Sequence, residues 1–520
     1  MKLIFTLIVL CFSLELIAQK AGTPDSSFGV DGVLIGRSSP TTELRVTGTA
    51  NDKFVAGYSL YSISGFVLSQ YTNTGTVDSA FGVNGTVITT FPSGNALCEA
   101  IRTQADGKIV AAGLVGISGP AHIAMARYNP SGELDYSFGE NGLVDFTLSK
   151  RTSISMQDIA IQTDNKIIVS AISDQTGDYE NVIFRFNEDG SLDKSFGNNG
   201  EIFSAIDYTP EYSPLVLQPD GKFLLGGSPA NSGFRVARYN PDGTLDAGFG
   251  NKGIAGKDFG TGTSVIITSL ALQGNSFVLA GGEKFDPNQT PSMSMVRFTN
   301  TGIADSTFGK AGAVSTIFNN ESGVNKILVQ KDQKIIAAGS LSSFTDTNEL
   351  IIVRYMTNGS IDSSFGINGR NLTAIQDQVS CRDALLQSNG EPLLAGTSVK
   401  YGTPQIANVT FAQYYNDTKT QKQIIVQKIK HYIQTHNNAQ ATTLNISIYP
   451  NPAQNSLHIE GLSSSQKTKL TVVDFNGNIQ LHVVTNTSSY NLNIASLYEG
   501  NYLLKIETNG EMVTKQFVKK

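Results

Sequence analysis

The stretch Ala237–Gly253, ARYNPDGTLDAGFGNKG, decides the fold, because the chain repeats it. Close relatives are ARYNPSGELDYSFGENG from Ala126 and FRFNEDGSLDKSFGNNG from Phe184. The Phe-Gly pair of this unit occurs at Phe28, Phe81, Phe138, Phe196, Phe249, Phe308 and Phe365, at spacings of 53, 57, 58, 53, 59 and 57 residues. Self-similarity at such a period marks a repeat architecture and must be read before any local motif.

A second landmark lies between the Phe-Gly turns: QADGKIVAAG from Gln104, QPDGKFLLGG from Gln218 and QKDQKIIAAG from Gln330. Together the two landmarks define the grammar of one unit. A short strand such as Thr86 to Thr90 follows the Phe-Gly turn, and a second strand ends at Gln-x-Asp-Gly. Asp-Gly between apolar strands signals a hairpin, since both turn residues tolerate φ > 0. A third strand, Lys108 to Gly113, leads through a variable loop to a fourth, His122 to Tyr128, which ends in an Asn-Pro-Asp-Gly type of turn. Four strands in under sixty residues, seven times over and without a helical period, predict propeller blades. A solenoid is the alternative, but it needs atypical capping repeats, which are not evident. The ends of the array argue for closure. PDSSFG at Pro24 has no Arg-Tyr-Asn strand before it, and VTFAQYYND at Val409 has no Phe-Gly turn after it. Each fragment completes the other, so these strands should share one blade.

Composition sets the remaining bounds. The 51 glycines suit many tight turns, and a net charge of −6 without a concentrated basic patch argues against nucleic acid. Residues 1–18 read as a signal peptide: Lys2, the apolar run Leu3 to Phe12, and cleavage after Ala18, although Leu16 is imperfect for the site. Cys11 does not fit a lipidation site. No later segment is apolar and long enough to span a bilayer. Cys98 and Cys381 occupy the same position of two separated units and are expected as buried, unbridged thiols.

Several repeated side chains invite functional readings. Arg127, Arg185, Arg238, Arg297 and Arg354 share one position, with Gln70 and Gln413 in the first and last units. An Asp follows eight residues later at Asp78, Asp135, Asp193, Asp246, Asp305 and Asp362. A ring of charge about a channel is one reading. One Arg–Asp bridge per blade is the reading that repetition favours, since a scaffold keeps symmetry and a site breaks it. Asn240 to Asp246 resembles part of a calcium loop, but Ser131 interrupts the pattern in its relative and no bidentate Glu follows. Asx turns explain the same residues, so no cofactor is expected, calcium being the one alternative kept. The recurring Gln104, Gln162, Gln218, Gln273, Gln330 and Gln387 are expected to satisfy loop backbone, and the repeated Phe to anchor its turn between blades.

Catalysis finds little support. His122 is the one histidine of the repeat region, too few for a His metal site or a convincing Ser/His/Asp triad. No symmetry-breaking cluster of His, Asp or Glu emerges, and no catalytic, cofactor-binding or metal-ligating residue is assigned. The chain has no Trp, which weakens carbohydrate stacking without removing Tyr or Phe platforms.

Beyond Asp417 the composition changes. Thr418 to Thr443 reads as a linker in which Ile425, Ile429 and Ile433 could form a helical turn or more. From Leu444 short strands resume in ISIYPNPAQNSLHI, LTVVDFNGNI and LNIASLYEGNYLLKIETNG, which predicts a small β-sandwich of about seven strands. The reading is thus all-β: a seven-bladed β-propeller over 22–417, a linker over 418–443, and a β-sandwich over 444–520.

Two resemblances add to this. The x-Arg-Tyr-Asn-x-Asp-Gly-x-Leu-Asp-x-Ser-Phe-Gly unit resembles the delta-sixty repeat of bacterial secreted proteins over about residues 24 to 416, which implies a propeller and no settled activity. The blocks from Ile446, with Tyr-Pro-Asn-Pro, an Asp-x-x-Gly turn, and Leu497, Gly500 and Tyr502, resemble the C-terminal sorting domain of the type IX secretion system of Bacteroidetes. That resemblance implies passage across the outer membrane by way of the periplasm, with type IX machinery as partner and the cell surface or exterior as destination. The expected function is a binding or adhesion module with an extracellular glycan or protein as ligand. A polymer-degrading hydrolase or lyase with acidic residues in the channel, or a non-catalytic structural cargo, are the alternatives. Fold alone does not choose among them.

Overall fold

The computed structural model describes residues 20–417 and 446–520, apart from residues 39, 61–62, 117–121, 148–152, 176–177, 207–211, 230–232, 261, 288, 319, 343–347, 377, 402–405, 463, 465, 475–478 and 509–510. The expected signal peptide and linker lie outside the described residues, as does part of the variable loop Leu114 to Ala121. The chain divides into two compact units, residues 1–421 and 422–520. Among the described residues no helix is long and apolar enough to cross a membrane.

The first unit holds seven four-stranded antiparallel sheets. Blade 1 runs outward through Pro40–Gly48, Phe54–Leu60, Ile63–Tyr71 and Thr86–Thr90. Blades 2 to 6 repeat this order from inner strands Ala96–Thr103, Ser153–Ile161, Leu215–Leu217, Ser264–Gln273 and Glu321–Val329. Blade 7 is composite: Gln378–Leu386, Pro392–Lys400 and Ile406–Gln413 come from the end of the array, and Val33–Ser38 supplies the outermost strand. Val33 pairs with Ala412 and Ile35 with Thr410, as the split motif predicts. Each inner strand touches the next around the ring, and that of blade 7 touches that of blade 1.

Burial explains why the repeat takes this form. The second strand, IVAAGLV in blade 2, is buried along its whole length, because sheets cover both of its faces. The inner strand alternates, as in the buried and half-buried pattern of Gln378–Leu386, because one face packs and the other meets the channel. The core therefore lies between blades. One cluster joins Val110, Ile123 and Met125 of blade 2 to Ile159, Val169 and Phe184 of blade 3, with Phe138 of the Phe-Gly turn among them. The seven repeated Phe rings are buried, which identifies them as the expected inter-blade anchors. The glycine after each Phe is obligatory for a steric reason. Gly250 sits at φ +56, where a Cβ would stand 2.2 Å from the Ile254 carbonyl oxygen. Cys98 and Cys381 are buried, unbridged thiols whose pKa values burial pushes up to about 12.

The second unit is a seven-stranded sandwich. Ser447–Tyr449, Ser456–Glu460 and Ser489–Asn493 form a three-stranded sheet. Ile479–Thr485, Thr468–Asp474, Gly500–Thr508 and Glu511–Lys519 form a four-stranded sheet in that order. Leu457 and Ile459 of the first meet Leu470, Val472, Leu504 and Phe517 of the second in one core.

Candidate binding site in the central channel

The residues that repeat prove to be scaffold. Arg238 Nε donates to Asp246 Oδ2 at 2.8 Å, and the guanidinium lies 4.4 Å from the Phe249 ring centre. Its Nη1 reaches the Asn300 carbonyl in the turn of the next blade at 2.5 Å. Arg127, Arg185, Arg297 and Arg354 make the same contacts to Asp135, Asp193, Asp305 and Asp362 at 2.7 to 2.9 Å, each crossing to the following blade. The Asp also binds the lysine of the Gln-x-Asp-Gly-Lys hairpin, as in Lys108–Asp135 at 2.9 Å. Burial opposes ionisation of Asp362, but Ser364, Lys334 and Arg354 outweigh it and hold the carboxyl at about 2. Asn240 and Asp242 form the expected Asx turn, with Asp242 Oδ1 accepting from Thr244 N at 2.9 Å and Oγ1 at 2.7 Å.

The recurring glutamines divide. Gln330 Nε2 donates to the Gly390 carbonyl and Gln273 Nε2 to the Gln333 carbonyl, as expected. Gln387 instead donates to Gln413. Both polar atoms of Gln104 and the Oε1 atoms of Gln162 and Gln218 are buried without a hydrogen-bond partner, so the expected backbone role holds for only part of the set.

The symmetry breaks at the axis. In five inner strands the ladder skips one residue: between Cys98 and Ala100, Met156 and Asp158, Ile267 and Ser269, Val324 and Lys326, and Cys381 and Asp383. The skipped residue is the extra one of a β-bulge, freed from pairing. It is Glu99, Gln157, Thr268, Asn325 and Arg382 in turn, a different side chain in each of the five blades. Four of these, with Glu43, Arg45, Arg102, Asp158, Lys326 and Asp383, line or adjoin a narrow polar channel to which all seven blades contribute. Glu99 occupies the equivalent bulge of blade 2.

Most of the channel charges are paired. Arg45 meets Glu43 at 2.9 Å, Arg102 meets Asp158 at 2.5 Å, and Lys326 meets Asp383 at 3.1 Å. The two aspartates also bind the ring together. Asp383 Oδ2 accepts the Val46 N–H of blade 1, and Asp158 Oδ2 accepts the Leu215 N–H of blade 4, each at 3.1 Å. Ser269 does the same for Ile327 N at 3.0 Å. Glu99 is different. Its Oε2 is buried without a hydrogen-bond partner among the described residues, and burial together with the Glu43 charge, against the opposing pull of Arg45, pushes its carboxyl up to about 8. Beyond Arg382 and Asn325 the channel widens into a mouth lined by Glu321, Ser322, Ser340, Ser342 and Ser380. Glu321 opens the inner strand of blade 6 and Ser342 closes its second strand, so the mouth lies at the end of the ring that carries the variable loops.

The sequence alone displays no such cluster, and the structure places these unrepeated polar residues together at the axis. Its signal was present as polar residues that differ between units just ahead of each Gln-x-Asp-Gly turn. Their convergence depends on ring closure and on the bulges, neither of which a linear pattern displays. Elsewhere, His122 Nδ1 pairs with Asp145 Oδ1 at 2.8 Å on the outer part of blade 2, and Ser93 Oγ donates to the other oxygen of Asp145. The aspartate stands between them, so the serine faces a carboxylate and not the imidazole, which is not the order of a Ser/His/Asp triad.

Comparison with protein families matches residues 447–520 to the secretion system C-terminal sorting domain. Residues 104–138, 162–196, 218–249 and 330–365 match a β-propeller domain of unknown function, DUF5122. Comparison with curated proteins finds no match. Among solved structures, the chain is similar to the polysaccharide lyase Uly1 at 9% identity and a TM-score of 0.43, covering 72% of this chain and 89% of that one. It is also similar to the α-L-arabinanase of Penicillium chrysogenum, at 11% identity and a TM-score of 0.36, covering 76% and 97%. The NanB sialidase of Streptococcus pneumoniae shows 8% identity and a TM-score of 0.38, covering 78% and 71%. The chain is therefore a secreted β-propeller repeat protein that ends in a sorting domain of the type IX secretion system.

Proposed function

We propose that the propeller is a binding module displayed outside the cell, and that its ligand enters the channel mouth on the loop face. One observation carries this reading: the repeated Arg, Asp and Phe serve the scaffold, whereas the bulge position at the axis carries Glu99, Gln157, Thr268, Asn325 and Arg382. Convergent polar groups on a rigid ring are what recognition requires. A screen of the purified protein against glycans and matrix proteins tests it. Bound ligand should be lost or weakened at least tenfold by Asn325→Ala and Gln157→Ala and retained by Arg238→Ala. Equal binding by the channel variants and the parent would place recognition elsewhere.

A second reading, a hydrolase or lyase acting on a polymer, has one specific observation in its favour. Burial and the Glu43 charge push the Glu99 carboxyl up to about 8, and Glu43 itself is paired with Arg45. One carboxyl of each protonation state is the requirement for general acid and base work. Under this reading Glu99→Gln abolishes depolymerisation of a polysaccharide that the parent cleaves. Under the binding reading the parent releases no reducing ends or unsaturated products.

A further inference from the structure

We propose that the channel mouth on blades 6 and 7 binds a saccharide carrying a carboxylate, and that the Arg382 guanidinium receives that carboxylate. This rests on the binding reading and names its ligand class. Four cations line the channel, and three have counter-charges in Glu43, Asp158 and Asp383. Arg382 is the exception: among the described residues it has no ion pair and no hydrogen bond, and its Nε is buried without a partner. A guanidinium held in a cavity without an anion is unfavourable until one arrives, and its planar fork matches a carboxylate.

The groups around Arg382 suit a hydroxyl-rich partner. Asn325, one blade away, also makes no hydrogen bond among the described residues and lines the same mouth. Ser342 and Ser380 likewise keep hydroxyls uncommitted, whereas Ser340 accepts the Cys381 N–H at 2.6 Å. Tyr212, 41% exposed, adds an aromatic ring to the lining. Amides and hydroxyls donate and accept, as sugar hydroxyls do. Ile266, Val324 and Cys381 are the aliphatic and thiol side chains among a mostly polar lining, which leaves little to anchor a peptide. Glu321 at the rim disfavours a polyanion, so recognition is of a single carboxylate seated past it.

Calorimetric titration of the mature full-length protein with a trisaccharide bearing one terminal uronate tests this. Its uncharged methyl ester, inorganic sulfate and a peptide with one glutamate serve as comparisons. The acid should bind at least tenfold more tightly than the ester. Arg382→Gln should bring the acid down to the ester's affinity, and Arg382→Lys should retain part of the difference. Melting curves must show each variant folded; if Arg382→Gln does not fold, Arg382→Lys and the acid-to-ester ratio of the parent decide. The inference is overturned if acid and ester bind equally, if the acid does not bind, or if Arg382→Gln binds as the parent does. It is equally overturned if the peptide binds through Arg382 and the saccharide does not. Neutral saccharide binding that Asn325→Ala weakens and Arg382→Gln leaves unchanged would overturn the carboxylate assignment while sparing the binding reading.

Discussion

Arg238 shows how one side chain performs three tasks. It pairs with Asp246, stacks on Phe249 and bridges to the Asn300 carbonyl of the next blade. Arg238→Ala should lower stability by about 1.5–3 kcal/mol, the scale of hydrogen bonds to charged groups, while leaving ligand affinity unchanged. A melting curve alongside a binding isotherm checks this. An unaltered melting temperature with abolished binding would make the arginine ring functional. The aspartates predict an acid limit. Asp135, Asp193 and Asp362 are held below the ordinary carboxylate pKa by hydroxyl, lysine and arginine donors. Each is depressed in the folded state, so its contribution is fully present above the unfolded value near 3.8 and is lost as pH falls through the folded value. Stability should fall from about pH 4 downward to about pH 2 and below, measured as denaturation midpoints against pH. Lowered midpoints confined to pH above 5 would assign acid sensitivity to other groups.

At the scale of the element, the seam of blade 7 is built differently from the other blades. Gln413 stands where the repeat has Arg, and its Nε2 donates to Asp25 Oδ2 and Glu391 Oε2, both at 3.1 Å. Backbone bonds reinforce this from Gly22 N to Tyr415 O and from Asp25 N to Gln413 O, each 2.7 Å. An amide can serve two buried carboxyl groups here because the Val33–Ser38 strand covers the edge of Ile406–Gln413. Deleting residues 19–38 should expose that edge, which is a template for intermolecular pairing. The expected result is a lower melting temperature and light scattering that grows with concentration. A truncated protein that stays monomeric with the parent's melting temperature would show that the seam strand is dispensable. The bulges are the second lesson at this scale. They turn a repeated strand into a carrier of unrepeated chemistry by adding one residue that the ladder does not use.

At the scale of the whole molecule, each unit has its own core, and the array of seven blades is complete before the linker begins. Deleting residues 444–520 should leave a folded propeller with the parent ring's melting transition. In the native host the truncated protein should accumulate in the periplasm, because the sorting domain directs export. Cell fractionation with a melting curve on the purified product tests both halves. Surface display of the truncated form would remove the export role, and an unfolded ring would remove independence.

The repeated grammar was enough to read seven blades, the shared closing blade and the Arg–Asp scaffold, because each rests on residues near in sequence or on a period, while the sorting module was legible by its resemblance. Turn glycines, hairpin Asp-Gly pairs and buried strands act locally, so a linear reading captures them. The channel was not legible in that way. Glu43, Glu99, Asn325 and Arg382 stand in four different blades, up to 339 residues apart, and look like isolated polar interruptions of apolar strands. Only ring closure brings the inner strands around one axis, and the bulges add unpaired residues such as Asn325 and Arg382 to the ladder-paired ones that line it. That packing settles which of these charges find partners, since Arg102 meets Asp158 and Lys326 meets Asp383 across blades, while Arg382 has no ion pair among the described residues.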